Sequence, residues 1–456
     1  MEPSVDSKTP IEKIDPSWAW EPWKPSPAEP WDDARVRLLF RRGGFGAGIT
    51  ERKEAIQRGP EHALRMLYGE GSNRSLQKLE QFEQESDSLA ASIRAGGSID
   101  ALAAWWMHRI LFSPSPVVEK LTLFWHGHFA TGAEKVMDSE LMFTQNRTLR
   151  NHAVGDFRAM VHAISKDPAM LIYLDSVTNR KSHPNENYAR ELMELFCLGE
   201  GNYRERDVQE LARCFTGWEI RRKMFRFNPY QHDDGTKEIL GRSEVESGEQ
   251  AIDVVLDQPS MPRFIARKLF RYLVCDEPQA PDALIEPLAE HFVRSQYSIR
   301  AVVDRILSSR MLLSSWSIGR KVRSPVDLAA EFLRGLSATT NLERVTQMLK
   351  PLGQGLFYPP NVKGWDGGRT WINSSTLIGR ANFAVDLLSD PNTRFGGLAL
   401  DAWCSAHGIP HSDWLDWLEQ TFLSVPLSQQ EKERCRGDSR GAVFALLARN
   451  PKIHLS

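Results

Sequence analysis

The spacing of apolar residues along this chain predicts one helix after another. Leu, Ile, Val, Phe and Met return every three or four residues over Ala34–Arg41, 50–68, 75–95, 98–112, Val117–Phe129, Glu140–Arg150, Phe157–Ser165 and Pro168–Asp175. The pattern resumes after a polar loop, from Asn185 to Gly199, and again over Glu205–Thr216. It continues over 249–256, 261–274, 281–294, 298–309, 325–337, 341–350 and Ser374–Ser389. The rhythm breaks at 218–245, where Phe225 and Phe227 alternate with Arg226 and Asp233-Asp234-Gly235 is a turn signature. A small β-hairpin is expected there. The fold class that follows is mostly α: one large multi-helical domain over 31–395 with a hairpin insertion. Before it, residues 1–30 form a Pro/Trp-rich extended arm. After it, 396–456 form a short helical extension.

The segment from Asn185 to Phe196 is the one the rest is organised around. Asn185 follows Pro184 and suits a helix N-cap. Tyr188, Leu192, Leu195 and Phe196 share an apolar arc, and Asn187, Glu191 and Glu194 run along its flank. Carboxylates at a core boundary lose hydration and need a partner, a proton or a metal. Glu186, Arg190 and Glu194, spaced by four, also fit a solvated salt ladder.

Three further clusters carry candidate chemistry. Phe124-Trp125-His126-Gly127-His128-Phe129 offers two imidazoles, either as zinc-type ligands or as one buried and one surface histidine. His232-Asp233-Asp234-Gly235-Thr236-Lys237 is either a polar hairpin tip or a base, His232, oriented by Asp233 with Lys237 touching an anion. The stretch 359–373 holds Lys363, Trp365 and Trp371 among prolines and glycines, and suits either a lid over a polar ligand or a plug of two indoles. Gly43-Gly44-Phe45-Gly46-Ala47-Gly48 follows a helix and lacks Gly-Lys-Ser/Thr, so it reads as a turn and not as a phosphate loop.

Composition narrows the classes. The formal net charge of -2 gives no reason to expect nucleic acid. Five widely spaced cysteines without Cys-x-x-Cys fit a reducing compartment. The N-terminus lacks a basic then apolar leader, and no stretch is long and apolar enough to span a membrane, so a cytoplasmic location is expected. No His-Glu-x-x-His and no Gly-x-Ser-x-Gly occurs.

Taken together, the motifs resemble a bacterial family called domain of unknown function 1800. The resemblance rests on Leu39–Gly46, Phe124–Phe129, Pro168–Asp175, the Asn185 segment through Leu198-Gly199, Tyr203, Asp207-Val208, Thr216-Gly217-Trp218, His232-Asp233, Gly235, Lys237 and Asn361–Trp365. It covers roughly 33–390. It implies a mostly helical protein whose genes neighbour those of an exported phosphatase- or sulfatase-like protein, which is the partner expected here.

The leading functional expectation is a polar site assembled from these segments. His126, His128, Glu191, Glu194 and His232 would hold a divalent metal such as Zn, Mn or Fe. His232, Asp233, Glu191, Tyr188 and Arg190 would carry catalysis, and Asn185, Asn187, Lys237, Lys363, Trp365 and Trp371 would bind substrate. Hydrolysis of a polar or glycan substrate would follow. The alternatives are a metal-free polysaccharide lyase built from Tyr188, Arg190, Asn185 and His126, with Trp365 and Trp371 stacking on sugar rings, and an assembly partner without turnover.

Overall fold

Two apolar cores meet along a seam of buried charge, and the helices are arranged around that seam. A computed structural model describes residues 5–70 and 72–456. Among them the chain is 61% helical, with only two small two-stranded sheets. No described helix is long and apolar enough to cross a membrane.

The first core gathers Leu39, Trp125, Leu192, Phe196, Leu269 and Phe292, from helices Asp33–Arg42, Pro116–His128, Ser260–Leu273 and Asp282–Arg294 and the segment around Leu192. The second gathers Trp105, Trp106, Phe143, Phe332, Phe357 and Phe444, from Ile99–Phe112, Ser139–His152, Pro325–Gly335 and the C-terminal helices. Helix Pro116–His128 serves both: Leu121 and Trp125 point into the first core, Leu123 into the second. It is buried on nearly every side, and its two charged residues, Glu119 and Lys120, are both paired.

The seam is built of ion pairs. Glu331 accepts from Arg41 Nε at 2.6 Å and lies 3.0 Å from Arg323. Lys120 pairs with Asp327 at 2.5 Å and Lys321 with Asp276 at 2.6 Å. Arg42 has main-chain partners instead, the oxygens of Val274, Ser317 and Ser456. A charge taken out of water is tolerated only when such partners replace its hydration.

The chain ends lie against this body. The leader forms turns at Ile11–Lys13 and Pro16–Ala19, with extended stretches between them. The Trp20 ring nitrogen donates to Leu284 O at 2.8 Å and, just past the leader, that of Trp31 to Ala55 O at 3.0 Å. Beyond residue 395, Trp403, Trp414 and Phe444 are buried in the second core.

The hairpin is present, but its turn is not the expected one. Strands Trp218–Arg221 and Met224–Phe227 pair with Trp218 opposite Phe227, and Arg222-Lys223 make the turn with φ of 53° and 62°. Asp233 and Gly235 lie past the hairpin, where Asp233 Oδ1 caps Gly235 N at 2.8 Å in a local turn. Cross-strand packing of Trp218, Phe225 and Ile220 set the register over the stronger turn signature.

A second buried junction gives a direct test of the fold's electrostatics. Glu119 is fully buried and accepts from both Arg109 and Arg150 at 2.8 Å. Glu119→Gln leaves two guanidinium groups without their shared anion and is expected to cost about 3–5 kcal/mol in urea unfolding.

Candidate functional site

The last turn of helix Pro116–His128 delivers His128 to the seam. Its Nε2 donates to Phe196 O at 2.9 Å, and its Nδ1 accepts from Lys268 Nζ at 3.0 Å. Lys268 also donates to Leu195 O at 2.9 Å. Those two carbonyls are free because the segment Asn187–Glu191 runs on into a π-helical turn, Leu192–Cys197, and then ends. The last carbonyls of a helix have no partner within it, and here a histidine and a lysine cap them. Burial holds the His128 imidazole well below its usual range, and the Lys268 charge pushes the same way. Burial also brings the Lys268 ammonium down to about 8. The pair is thus a neutral imidazole bonded to an amine that changes charge near physiological pH.

The loop at 359–373 closes over this pair because two glycines touch. Gly364 has φ of +77°, and a Cβ there would lie 1.9 Å from Gly127 O. A Cβ on Gly127 would sit 3.2 Å from Trp365 Cε3. The contact carries Lys363, Trp365 and Trp371 to one wall of a cleft of about 210 Å³. Lys268, Arg271, Tyr272 and Asp276 form the other wall, and Lys321 and Asp327 of the charged seam line it as well. Arg271 Nη2 fastens the loop by donating to Asp366 O at 2.8 Å. Among the described residues, Lys268, Arg271 and Lys363 have no carboxylate at ion-pairing distance. Three cations without an ion-pair partner and two indoles thus converge on one space.

The acidic flank of the Asn185 segment faces the same loop. Burial raises the Glu191 carboxyl, Glu194 adds to the rise, and Lys363 and Arg190 oppose it. Glu194 accepts from Tyr203 OH at 2.7 Å. Three of the four clusters therefore adjoin one another.

The expected metal set does not assemble. Among the described residues no group of three or more His, Cys, Asp or Glu is placed to hold a metal ion. His126 is sealed among Trp106, Phe357 and Trp365, with no hydrogen-bond partner on either ring nitrogen, and burial lowers it to about 3. His128 is committed to Phe196 and Lys268, and Glu194 to Tyr203. His232 belongs to another corner: its Nδ1 lies 2.9 Å from Thr216 O and its Nε2 3.1 Å from Glu246 O. There Asp233 takes two bonds from Arg213, which hold it near 2, and Lys237 is buried on the main-chain oxygens of Asp233 and Glu246. That cluster braces the loop after the hairpin.

The lyase set is scattered too. Tyr188 is buried with its hydroxyl on Ser165 Oγ at 2.5 Å, and Arg190 pairs with Glu186 and Glu205. Asn185 caps the turn, accepting from Asn187 N at 3.0 Å and donating to Asp175 O at 3.2 Å. Asn187 is exposed and contributes its backbone there. What the expectations missed is Lys268, Arg271 and Lys321. Lys268 had a signal: it stands between Phe264 and Tyr272 at i-4 and i+4, an aromatic setting that strips water from an ammonium.

A family model described as protein of unknown function (DUF1800) matches residues 38–443. This range holds every cleft residue and runs well past 390, where the motif resemblance stops. No curated protein and no solved structure matches the chain.

The glycine contact is open to a paired test. Gly364→Ala meets both a left-handed backbone and the Gly127 carbonyl, whereas Gly201→Ala, at φ of +82°, meets nothing within 4 Å. The second is expected to cost about 1 kcal/mol for strain alone, and the first at least about 3 kcal/mol, or local opening of the loop. Thermal melts of both variants, with protease sensitivity around residue 364, decide it.

Proposed function

We propose that this chain, which belongs to the DUF1800 family, binds an anionic ligand of saccharide type in the cleft beneath the Lys363–Trp371 loop. The proposed chemistry on it takes up or gives a proton at Lys268, which His128 positions. The observation that carries the reading is the convergence of Lys268, Arg271 and Lys363, none paired with a carboxylate, on a space walled by Trp365 and Trp371. Carboxylate, sulfate or phosphate groups supply the missing counter-charge, and sugar rings offer flat faces to the indoles. Lys268 is suited to proton transfer because its amine and ammonium forms are both populated near pH 8. Its bond to His128 Nδ1 fixes the imidazole tautomer, with the proton on Nε2 and directed at Phe196 O. Hydrolysis and β-elimination both begin from such a pair. Their products separate them, since elimination from a uronic acid leaves an unsaturated sugar that absorbs in the near ultraviolet.

A second reading, docking to the phosphatase- or sulfatase-like partner, draws on the hairpin. Arg221 and Arg222 are exposed at its turn, and Met224 and Met137 stand 65% and 80% exposed on either side of the Lys223–Asp138 ion pair. A cationic tip with free thioethers suits an acidic protein surface. Co-purification of the partner that Arg222→Glu with Met224→Ser abolishes is the expected result. The proposed compartment is the cytoplasm, to be checked by fractionation.

The cleft reading makes a pH prediction. Lys268 is charged below about 8 and neutral above it, so affinity for an anion is full at pH 7 and is lost as pH rises through 8. Glucuronate binding measured by calorimetry should weaken roughly tenfold from pH 7 to 9. Lys268→Met should bind weakly at both pH values and with no such slope. Absence of glucuronate, sulfate and phosphate binding to the folded protein would remove the proposal.

A further inference from the structure

A second chamber opens on the far side of Lys268 and Arg271. It holds about 360 Å³ and shares Lys268, Arg271 and Asp276 with the cleft described above. Its lining differs in kind. Phe264, Phe270, Pro278 and Ala280 present apolar surface, and Cys275 is buried there with its thiol pushed up to about 11 by burial. The same loop borders both spaces, with Lys363, Trp365 and Trp371 on the polar side and Gly368 on the apolar side. Gly368 has φ of +60°, and a Cβ there would come 3.3 Å from Asp276 Cβ, so the loop lies close on the residue the two chambers share.

From this arrangement we infer that the ligand is an anionic amphiphile. Its charged head occupies the cleft, and an apolar chain or ring extends past Lys268 into the chamber of Phe264 and Phe270. The inference rests on the cleft being an anion site and adds what is attached to the anion. Two features favour an apolar appendage over a longer glycan. Most of the chamber's lining is apolar, Phe264, Pro278 and Ala280 among it, and the Phe264 ring that a sugar would stack on already carries Lys268, the shared cation, at 4.7 Å. The charged groups that belong to the chamber alone are satisfied without a ligand: Arg267 donates to Ala280 O at 2.6 Å and Glu277 pairs with Arg369 at 2.7 Å. A chain entering the chamber gains by leaving water, and the gain grows with each methylene buried.

Calorimetry on the full chain with inorganic phosphate, methyl phosphate and octyl phosphate, all below micelle-forming concentrations, tests this. Octyl phosphate is expected to bind at least tenfold more tightly than methyl phosphate. Ala280→Trp, which fills the chamber, should erase that gain and leave inorganic phosphate binding as it was. Ala280→Leu, a smaller filling, gives the same readout if the first variant does not fold. Equal binding of the octyl and methyl esters overturns the amphiphile inference while the anion cleft stands. A chain-length gain that survives both variants places the chain elsewhere and overturns it too. Failure of all three phosphates to bind overturns the amphiphile inference, and failure of glucuronate and sulfate as well removes the anion cleft with it.

Discussion

The structure depends on a problem that its two apolar cores create where they meet. Four cations (Arg41, Arg42, Lys120 and Arg323) and two carboxylates (Asp276 and Glu331) are buried between them, with Lys321 and Asp327 half-buried at the edge. Each carboxylate is claimed at least once: Glu331 by Arg41 and Arg323, Asp327 by Lys120, Asp276 by Lys321. Arg42 is left to the dipoles of main-chain carbonyls. Such a layer contributes little net stability compared with apolar packing, because desolvation offsets most of the attraction. What it fixes is geometry, since each carboxylate is held between elements from distant parts of the chain. It also sets Lys321 and Asp327, one charge of each sign, in the wall of the cleft. In a medium that polarises poorly, such charges act over several ångströms on whatever occupies the space.

The cleft is the exposed edge of the same arrangement. Lys268 and Arg271 stand one turn apart on helix Ser260–Leu273, whose opposite face is fixed in the first core by Ile265, Leu269 and Leu273. Trp365 leans on the second core. The two walls thus come from different cores, held at one spacing by the seam below and by the Gly127–Gly364 contact above. A ligand there would touch residues separated by well over a hundred positions in sequence, none of which carries the site by itself.

Much of this was legible in the chain. The helical periodicities appear where the apolar spacing puts them, and the glycines in Trp125-His126-Gly127-His128 and Lys363-Gly364-Trp365 prove to be the contact that joins those two motifs. Residue type did not show which polar groups would be spent on the fold. His232, Asp233 and Lys237 have the right chemistry for a site and are used instead to satisfy carbonyls and a guanidinium left over by an irregular loop. Lys268 was hidden for the opposite reason: one lysine in an amphipathic helix looks like surface until the neighbouring chain covers it. The π-helical turn that frees Leu195 and Phe196 O leaves no trace in side-chain propensity, because it is set by what caps it. The hairpin turn was misplaced because Asp-Asp-Gly is a stronger local signal than Arg-Lys, and strand pairing outweighs both.

The partners of Arg42 also bear on how the molecule comes into being. Its guanidinium bonds to Val274, Ser317 and Ser456, the last of them 414 positions away. A growing polypeptide emerges from its N-terminal end, so this early arginine must stay hydrated while most of the sequence is still being made. The seam therefore lacks one of its partners until the stretch that carries Ser456 has been made.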